Sequence, residues 1–183
     1  LGFLTVVEVF DGFSQEWGAS SGDIIANVSG TTLYVSQELL WKEQRITPKF
    51  SFHQTKFASQ RPENLGASFN EEILKDYNGQ TYWLSFNVHS FTKDSFTPKW
   101  LNVAIGYSGE GMLYGNDVEA IKNDVIQNPY RQFYLSLDVD LTKISTKSHF
   151  LKTLFSVFNT IKIPAPTLQY DEYNGLKGHF IYF

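Results

Sequence analysis

The fold class is decided by the stretch Arg131-Gln-Phe-Tyr-Leu-Ser-Leu-Asp-Val-Asp-Leu141. Its apolar residues occupy every second position from Phe133 onward, and mostly polar residues fill the positions between them. Successive side chains of a β-strand point to opposite faces, so this alternation predicts a strand with one apolar and one polar face. Asp138 and Asp140 share the polar face. They could form a metal or acid–base pair, but the alternation alone explains them, which favours a face that meets solvent or a lumen.

Similar patterns extend outward on both sides of this strand. Alternating segments cover Lys49 to Phe57, Tyr82 to Phe91 and Trp100 to Tyr107. Asn78-Gly79 is a turn signal, and the two segments that follow it are expected to form a hairpin. Pro164 and Pro166 indicate a connector. With short helices predicted at about 70–77, 118–126 and 148–161, residues 46–183 form an antiparallel β-rich region.

Residues 1–45 carry helical patterns instead. Leu1 to Phe10 is mostly apolar, with Glu8 and Asp11 one turn apart on the same face. The stretch Ser14 to Gly18 ends this pattern, and Ser20 and Asp23 offer cap chemistry for a second helix that runs to about Glu43. These features predict an N-terminal helical hairpin.

Composition narrows the function classes. The chain has 183 residues and a net charge of -4, which argues against binding nucleic acid because that would need a basic face. It has 16 Phe, 10 Tyr and 4 Trp, typical of a β-rich, interface or outer-membrane protein. It has no cysteine, and its four histidines lie in separate segments, so we expect neither a metal site nor a cofactor. No apolar run reaches the roughly 18 residues of a spanning helix.

The segment from Glu8 to Gly30 resembles the VanZ-like superfamily, whose members pair an acidic helix end with an Asp-x-x-x-Asn-x-x-Gly helix. Here that helix reads Asp23-Ile-Ile-Ala-Asn27-Val-Ser-Gly30. The family usually has an earlier helix with an Asp-Lys-x-x-His string. This string does not occur upstream, and the chain opens at Leu1 inside an apolar pattern, so we expect its N-terminal part to be truncated.

Four further strings make the resemblance more specific. They are Phe10-Asp-Gly-Phe-Ser14, Asp76-Tyr-Asn-Gly-Gln-Thr-Tyr-Trp-Leu-Ser85, Pro98-Lys-Trp-Leu-Asn102 and Gly109-Glu-Gly-Met112. In these strings the chain resembles the Bacteroidetes branch of the YfiM-like family of outer-membrane proteins. The resemblance covers nearly the whole chain and implies a location more than an activity.

The C-terminus indicates the same location. Outer-membrane barrel proteins tend to end in an aromatic residue preceded by alternating apolar residues and a glycine, and here Leu176, Gly178 and Ile181 precede the terminal Phe183. We therefore predict an α+β fold in which the N-terminal helical hairpin packs with an antiparallel β-sheet or a small outer-membrane β-barrel, closed or incomplete. A closed barrel needs about eight strands, and five clear and two weaker strand patterns leave that count short.

The primary functional hypothesis is a non-enzymatic component of a larger Bacteroidetes assembly, at the cell outer membrane, integral or on its periplasmic side. The type IX protein secretion and gliding machinery is one such assembly. Membrane lipid and a larger protein complex are the expected partners. The aromatic residues assigned to partner contacts or structure are Trp17, Trp41, Trp83, Trp100 and Phe183.

The alternative is a VanZ-like membrane enzyme or lipid-headgroup binder. Glu8, Asp11, Asp23 and Asn27 at the first helix junction would then form its catalytic or binding site, since burial could raise the pKa of one carboxylate. Helix capping explains the same residue types without a substrate. A soluble ligand-binding α+β domain is the third hypothesis.

Overall fold

A computed structural model describes residues 21–183 apart from Asn116 and Asp124. The chain divides into two compact units, one that ends at Arg45 and one from Ile46 to Phe183. In the first, helix α1 spans Ser21–Trp41, where the sequence predicts a helix that runs to about Glu43. The first helix of that hairpin lies outside the described residues.

The end of α1 is held by a compact set of contacts. Lys42 has a positive φ of 55° and donates its backbone N–H to the Glu38 carbonyl. The buried Gln37 amide binds both the Gln44 side chain, at 3.0 Å, and the backbone N–H of Arg45, at 2.8 Å. The Gln37 bonds turn the chain back along the last helical turn, and the Lys42 N–H pairs one of the carbonyls that a helix end otherwise leaves unpaired.

The second unit contains six strands with short helices between them. The strands are β1 (Ile46–Phe52), β2 (Gln80–Asn87), β3 (Leu101–Glu110), β4 (Tyr130–Val139), β5 (Ala165–Asp171) and β6 (Gly175–Tyr182). The helices are α2 (Pro62–Leu65), α3 (Phe69–Lys75), α4 (Val88–Thr92), α5 (Asp117–Lys122) and α6 (His149–Phe158), with 3-10 turns at Ala58–Gln60 and Leu141–Lys143. None of the described helices combines the length and the apolar character that crossing a bilayer requires.

All six strands form one open antiparallel sheet in sequence order, β1-β2-β3-β4-β5-β6. The predicted α+β class is therefore confirmed at this level. Ten residue pairs join β3 to β4, from Leu101 opposite Val139 to Glu110 opposite Tyr130. The outer edge of β1 is partly covered, since Phe50 exchanges backbone hydrogen bonds with Thr160 and Lys162, just after α6.

Two of the predicted elements differ in the structure. The connector expected around Pro164 and Pro166 contains β5, because Pro166 lies at a register irregularity between Ala165 and Thr167 where no ladder hydrogen bond is required of it. The strand predicted from Tyr82 to Phe91 stops at Asn87. The Asn87 side chain accepts a hydrogen bond from the Ser90 N–H and caps α4, so a polar residue inside an alternating pattern ends the strand.

Candidate functional site

The sheet has its polar face inside and its apolar face outside. Ser85, Asn102 and Asp138 on the concave face are each at most 1% exposed. On the opposite face, Ile105 and Leu135 are 53% and 49% exposed. Among the described residues, the buried apolar cluster of the sheet consists of Trp83, Ala104 and Tyr134, with Tyr182 packed against it. A water-soluble sheet normally buries its apolar face, so the polarity of this sheet is inverted.

The outer face is organised in rows that cross the strands. One row is aromatic: in successive strand pairs Phe50 lies opposite Tyr82, Tyr82 opposite Tyr107, Tyr107 opposite Phe133 and Phe133 opposite Tyr170. The next row in the same register is aliphatic, with Leu84, Ile105, Leu135 and Leu168 side by side. A third row continues it with Phe86, Val103 and Leu137. The exposed face is thus an apolar belt with an aromatic border.

An ion cluster joins β1 to β4 across the interior. Lys49 Nζ lies 2.8 Å from Asp138 Oδ2, and all of this ion pair is shielded from solvent. Lys162 Nζ lies 3.9 Å from Asp138 Oδ1 and donates to the Leu137 and Ile163 carbonyls at 2.8 and 2.6 Å. Burial lowers the pKa of Lys162 to about 8, although Asp138 acts in the opposite direction. The cluster thus brings two lysine side chains to one carboxylate.

A chain of hydrogen bonds fills the other half of the interior. The Glu110 carboxylate accepts from the Tyr130 hydroxyl at 2.7 Å and from the Gln132 amide at 2.8 Å. Oε1 of the Gln132 side chain accepts a hydrogen bond from the Tyr134 hydroxyl. The Tyr134 hydroxyl in turn accepts one from the Tyr182 hydroxyl at 2.8 Å. These bonds run from β3 through β4 to β6, so the network passes across β5.

This network borders a polar cavity of about 450 Å³. The rings of His53, just after β1, and His179, on β6, lie 5.6 and 5.1 Å from the Tyr182 ring. His179 Nε2 forms a 2.7 Å hydrogen bond with Gln169 Oε1, whereas His53 Nδ1 is buried without a hydrogen-bond partner. The lining residues are His53, Glu110, Tyr130, Gln132, Tyr134, Gln169, Asn174, Lys177, His179 and Tyr182.

The electrostatics of the cavity favour a neutral His53. Burial lowers the pKa of this imidazole, and the carboxylates of Glu110 and Asp76 oppose that shift. Glu110 already accepts hydrogen bonds from two donors. The polar atom left without a partner at this cavity is His53 Nδ1. No group of three or more metal-ligating side chains was found among the described residues.

The structure places the sequence-predicted site residues unevenly. Glu8, Asp11 and Trp17 lie outside the described residues, as does the side chain of Asp23. Asn27 is partly buried in α1, where its carbonyl accepts a 2.8 Å bond from Thr31 Oγ1. Most of the junction assigned to an enzyme site therefore lies outside the described residues.

The aromatic residues assigned to partner contacts or structure have different surroundings. Trp83 is 2% exposed and donates its indole N–H to Ser51 Oγ at 2.9 Å. The Arg45 guanidinium lies over the Trp41 ring, with its central carbon 4.7 Å from the ring centre. Trp100 and Phe183 are 43% and 53% exposed. Of these, Trp83 has the surroundings of a structural residue.

Asp138 in β4 and Asp140 directly after it, the two aspartates singled out in the sequence, are both buried. Asp138 belongs to the ion cluster, and Asp140 accepts from the Thr142 N–H and hydroxyl, which caps the following turn. Sequence reasoning missed Lys49, Lys162 and the His53–His179 cavity. The one available signal was that lysines and histidines occur at polar positions of strands or directly beside them.

Comparison with known proteins yields no relative: no model of a known family matches the chain, and no curated protein or solved structure matches it significantly.

Proposed function

We propose that the chain is a non-enzymatic outer-membrane component of a larger assembly, with its apolar belt against lipid. The observation that carries this proposal is the inverted polarity of the sheet, polar inside and apolar outside. Strands of outer-membrane barrels alternate in the same sense, apolar toward lipid and polar toward the lumen, with aromatic residues at the borders of the apolar band.

Leaving the apolar belt in water costs free energy that contact with lipid would remove. Each large apolar side chain gains about 1.5–3 kcal/mol when it leaves water entirely, and a belt residue such as Leu135 is only half withdrawn. Contiguous apolar patches of this kind are rare on soluble monomers and indicate contact with a membrane or a protein. The aromatic row beside aliphatic rows favours lipid, because tyrosine and phenylalanine at a bilayer border place a ring beneath the headgroups.

The edges of the sheet support a partner protein. Six strands are fewer than the about eight of the smallest closed barrels, and an unpaired strand edge cannot face hydrocarbon. The segment after α6 covers β1 only around Phe50. We therefore propose that a subunit of the assembly covers the remaining edge by adding a strand or by closing a shared barrel.

The resemblance to the VanZ-like superfamily and the Bacteroidetes YfiM-like branch suggests which assembly. On that basis we propose the type IX secretion and gliding machinery as the candidate. The support is the resemblance of the strings Asp76 to Ser85 and Pro98 to Asn102, which form much of β2 and the start of β3.

The test is membrane fractionation of the full-length protein followed by gentle detergent extraction. We expect the protein in the outer-membrane fraction, resistant to carbonate washing, and copurifying with a larger membrane protein. A freely dispersed monomer that appears in the aqueous fraction would refute the proposal.

A further inference from the structure

The two ends of the sheet carry opposite charge. One end is formed by the β2–β3 and β4–β5 connections, residues 88–100 and 140–164, and we call it the basic end. These connections hold six lysines and two aspartates, whereas the three connections at the opposite end, residues 53–79, 111–129 and 172–174, hold four basic and eight acidic residues. The segregation is notable in a chain whose net charge is -4.

The lysines of the basic end are accessible. Lys93, Lys99, Lys147 and Lys152 are exposed, whereas Lys162 is buried in the ion cluster. Of the two aspartates, Asp140 is buried as the cap of the turn after β4. The solvent-facing charge of this end is therefore strongly positive.

Large apolar side chains stand among these lysines. Phe96 and Phe150 are 93% and 72% exposed, and three other aromatic side chains are about half exposed. Those three are Phe91, Trp100 and Phe158. An amphipathic mixture of lysines and aromatic residues is the composition of segments that lie at a membrane interface.

Helix α6 is held at this end by specific contacts. Asn159, which follows the helix, is buried and accepts a 2.8 Å bond from the Leu141 N–H. The next residues bond to the edge of β1, with the Phe50 N–H donating to the Thr160 carbonyl at 2.9 Å. Helix α6, with its phenylalanines and Lys152, is thus tied through the residues that follow it to the turn after β4 and to β1.

We infer that the basic end binds the anionic phosphate groups of lipid headgroups and so sets the orientation of the sheet in the membrane. This inference rests on the proposed function, since the belt must lie in lipid for its end to reach the headgroups. Each lysine near an anionic surface strengthens binding by about fivefold. The opposite end, being acidic, would be repelled by the same surface.

The test compares vesicles of phosphatidylcholine with vesicles that also contain phosphatidylglycerol. One variant replaces Lys93, Lys99, Lys147 and Lys152 with Gln. The control replaces four exposed lysines of the opposite half, Lys56, Lys75, Lys122 and Lys177, so that both variants have the same net charge. Flotation measures the bound fraction, and resistance to carbonate measures insertion.

We expect the wild type and the control to prefer anionic vesicles on the order of a hundredfold more than the basic-end variant does, with the preference weakened by salt. Equal behaviour of the two variants, or a wild type that inserts in both vesicles without preference, would overturn the inference alone. A wild type that associates with neither vesicle would overturn the proposed function as well.

Discussion

Replacing Asp138 with Asn should destabilise the protein by about 3–5 kcal/mol. This carboxylate is the only anion in the described ion cluster, 2.8 Å from Lys49 and 3.9 Å from Lys162. At an effective dielectric constant of 20 these distances correspond to attractions of about 6 and about 4 kcal/mol. Desolvation of the three charges and repulsion between the two ammonium groups offset much of this attraction. Removing one partner of a buried ion pair nevertheless leaves the other charge uncompensated, and this typically costs about 3–5 kcal/mol.

The assay is urea unfolding followed by tryptophan fluorescence, with Trp83 as a buried reporter 5.0 Å from Lys162. Asp140→Asn is the matched control, because Asn caps a turn as well as Asp does. Adding Lys49→Met to Asp138→Asn should recover part of the loss by removing one orphaned cation. If Asp138→Asn unfolds within about 1 kcal/mol of the control, the ion cluster does not hold β1 to β4 as argued.

Three further changes test other parts of the structure. In lipid vesicles, Leu135→Arg should lower the free energy of unfolding by about 2–4 kcal/mol. Ile126→Arg, in an exposed connection, is the control and should lower it by less than about 0.5 kcal/mol. If the two variants lose the same amount, the apolar belt lies in water. Burial lowers the pKa of His53, so its contribution to the free energy of unfolding should be complete above the unfolded value of 6.5 and fall as the pH drops below it. His53→Gln should flatten that fall in unfolding curves recorded over a pH series. His149→Gln, on exposed α6, is the control and should leave the fall unchanged. Gly106→Ala would place a Cβ 2.6 Å from the Trp83 ring and should cost about 1–3 kcal/mol by chemical unfolding, whereas Gly115→Ala meets nothing within 4 Å and should be near neutral.

The candidate site was partly predictable. Alternation in the sequence identified β4 and β3 and showed which residues share a face, because a period of two is a local property of an extended chain. It could not identify the cavity. His53 and His179 are separated by most of the chain and meet only because the sheet curls until β6 approaches the end of β1.

The sequence by itself determined the strands with clean alternation, helix α1 and the polarity of each strand face, since these depend on neighbouring residues. Tertiary structure alone decided which face became the interior. The curl of the six strands turned the polar face inward and left the apolar face outside. In that interior, Asp138 contacts two lysines from distant segments, Lys49 and Lys162. Periodicity is the same whichever side of a strand is buried, so only the curvature of the assembled sheet could make that choice.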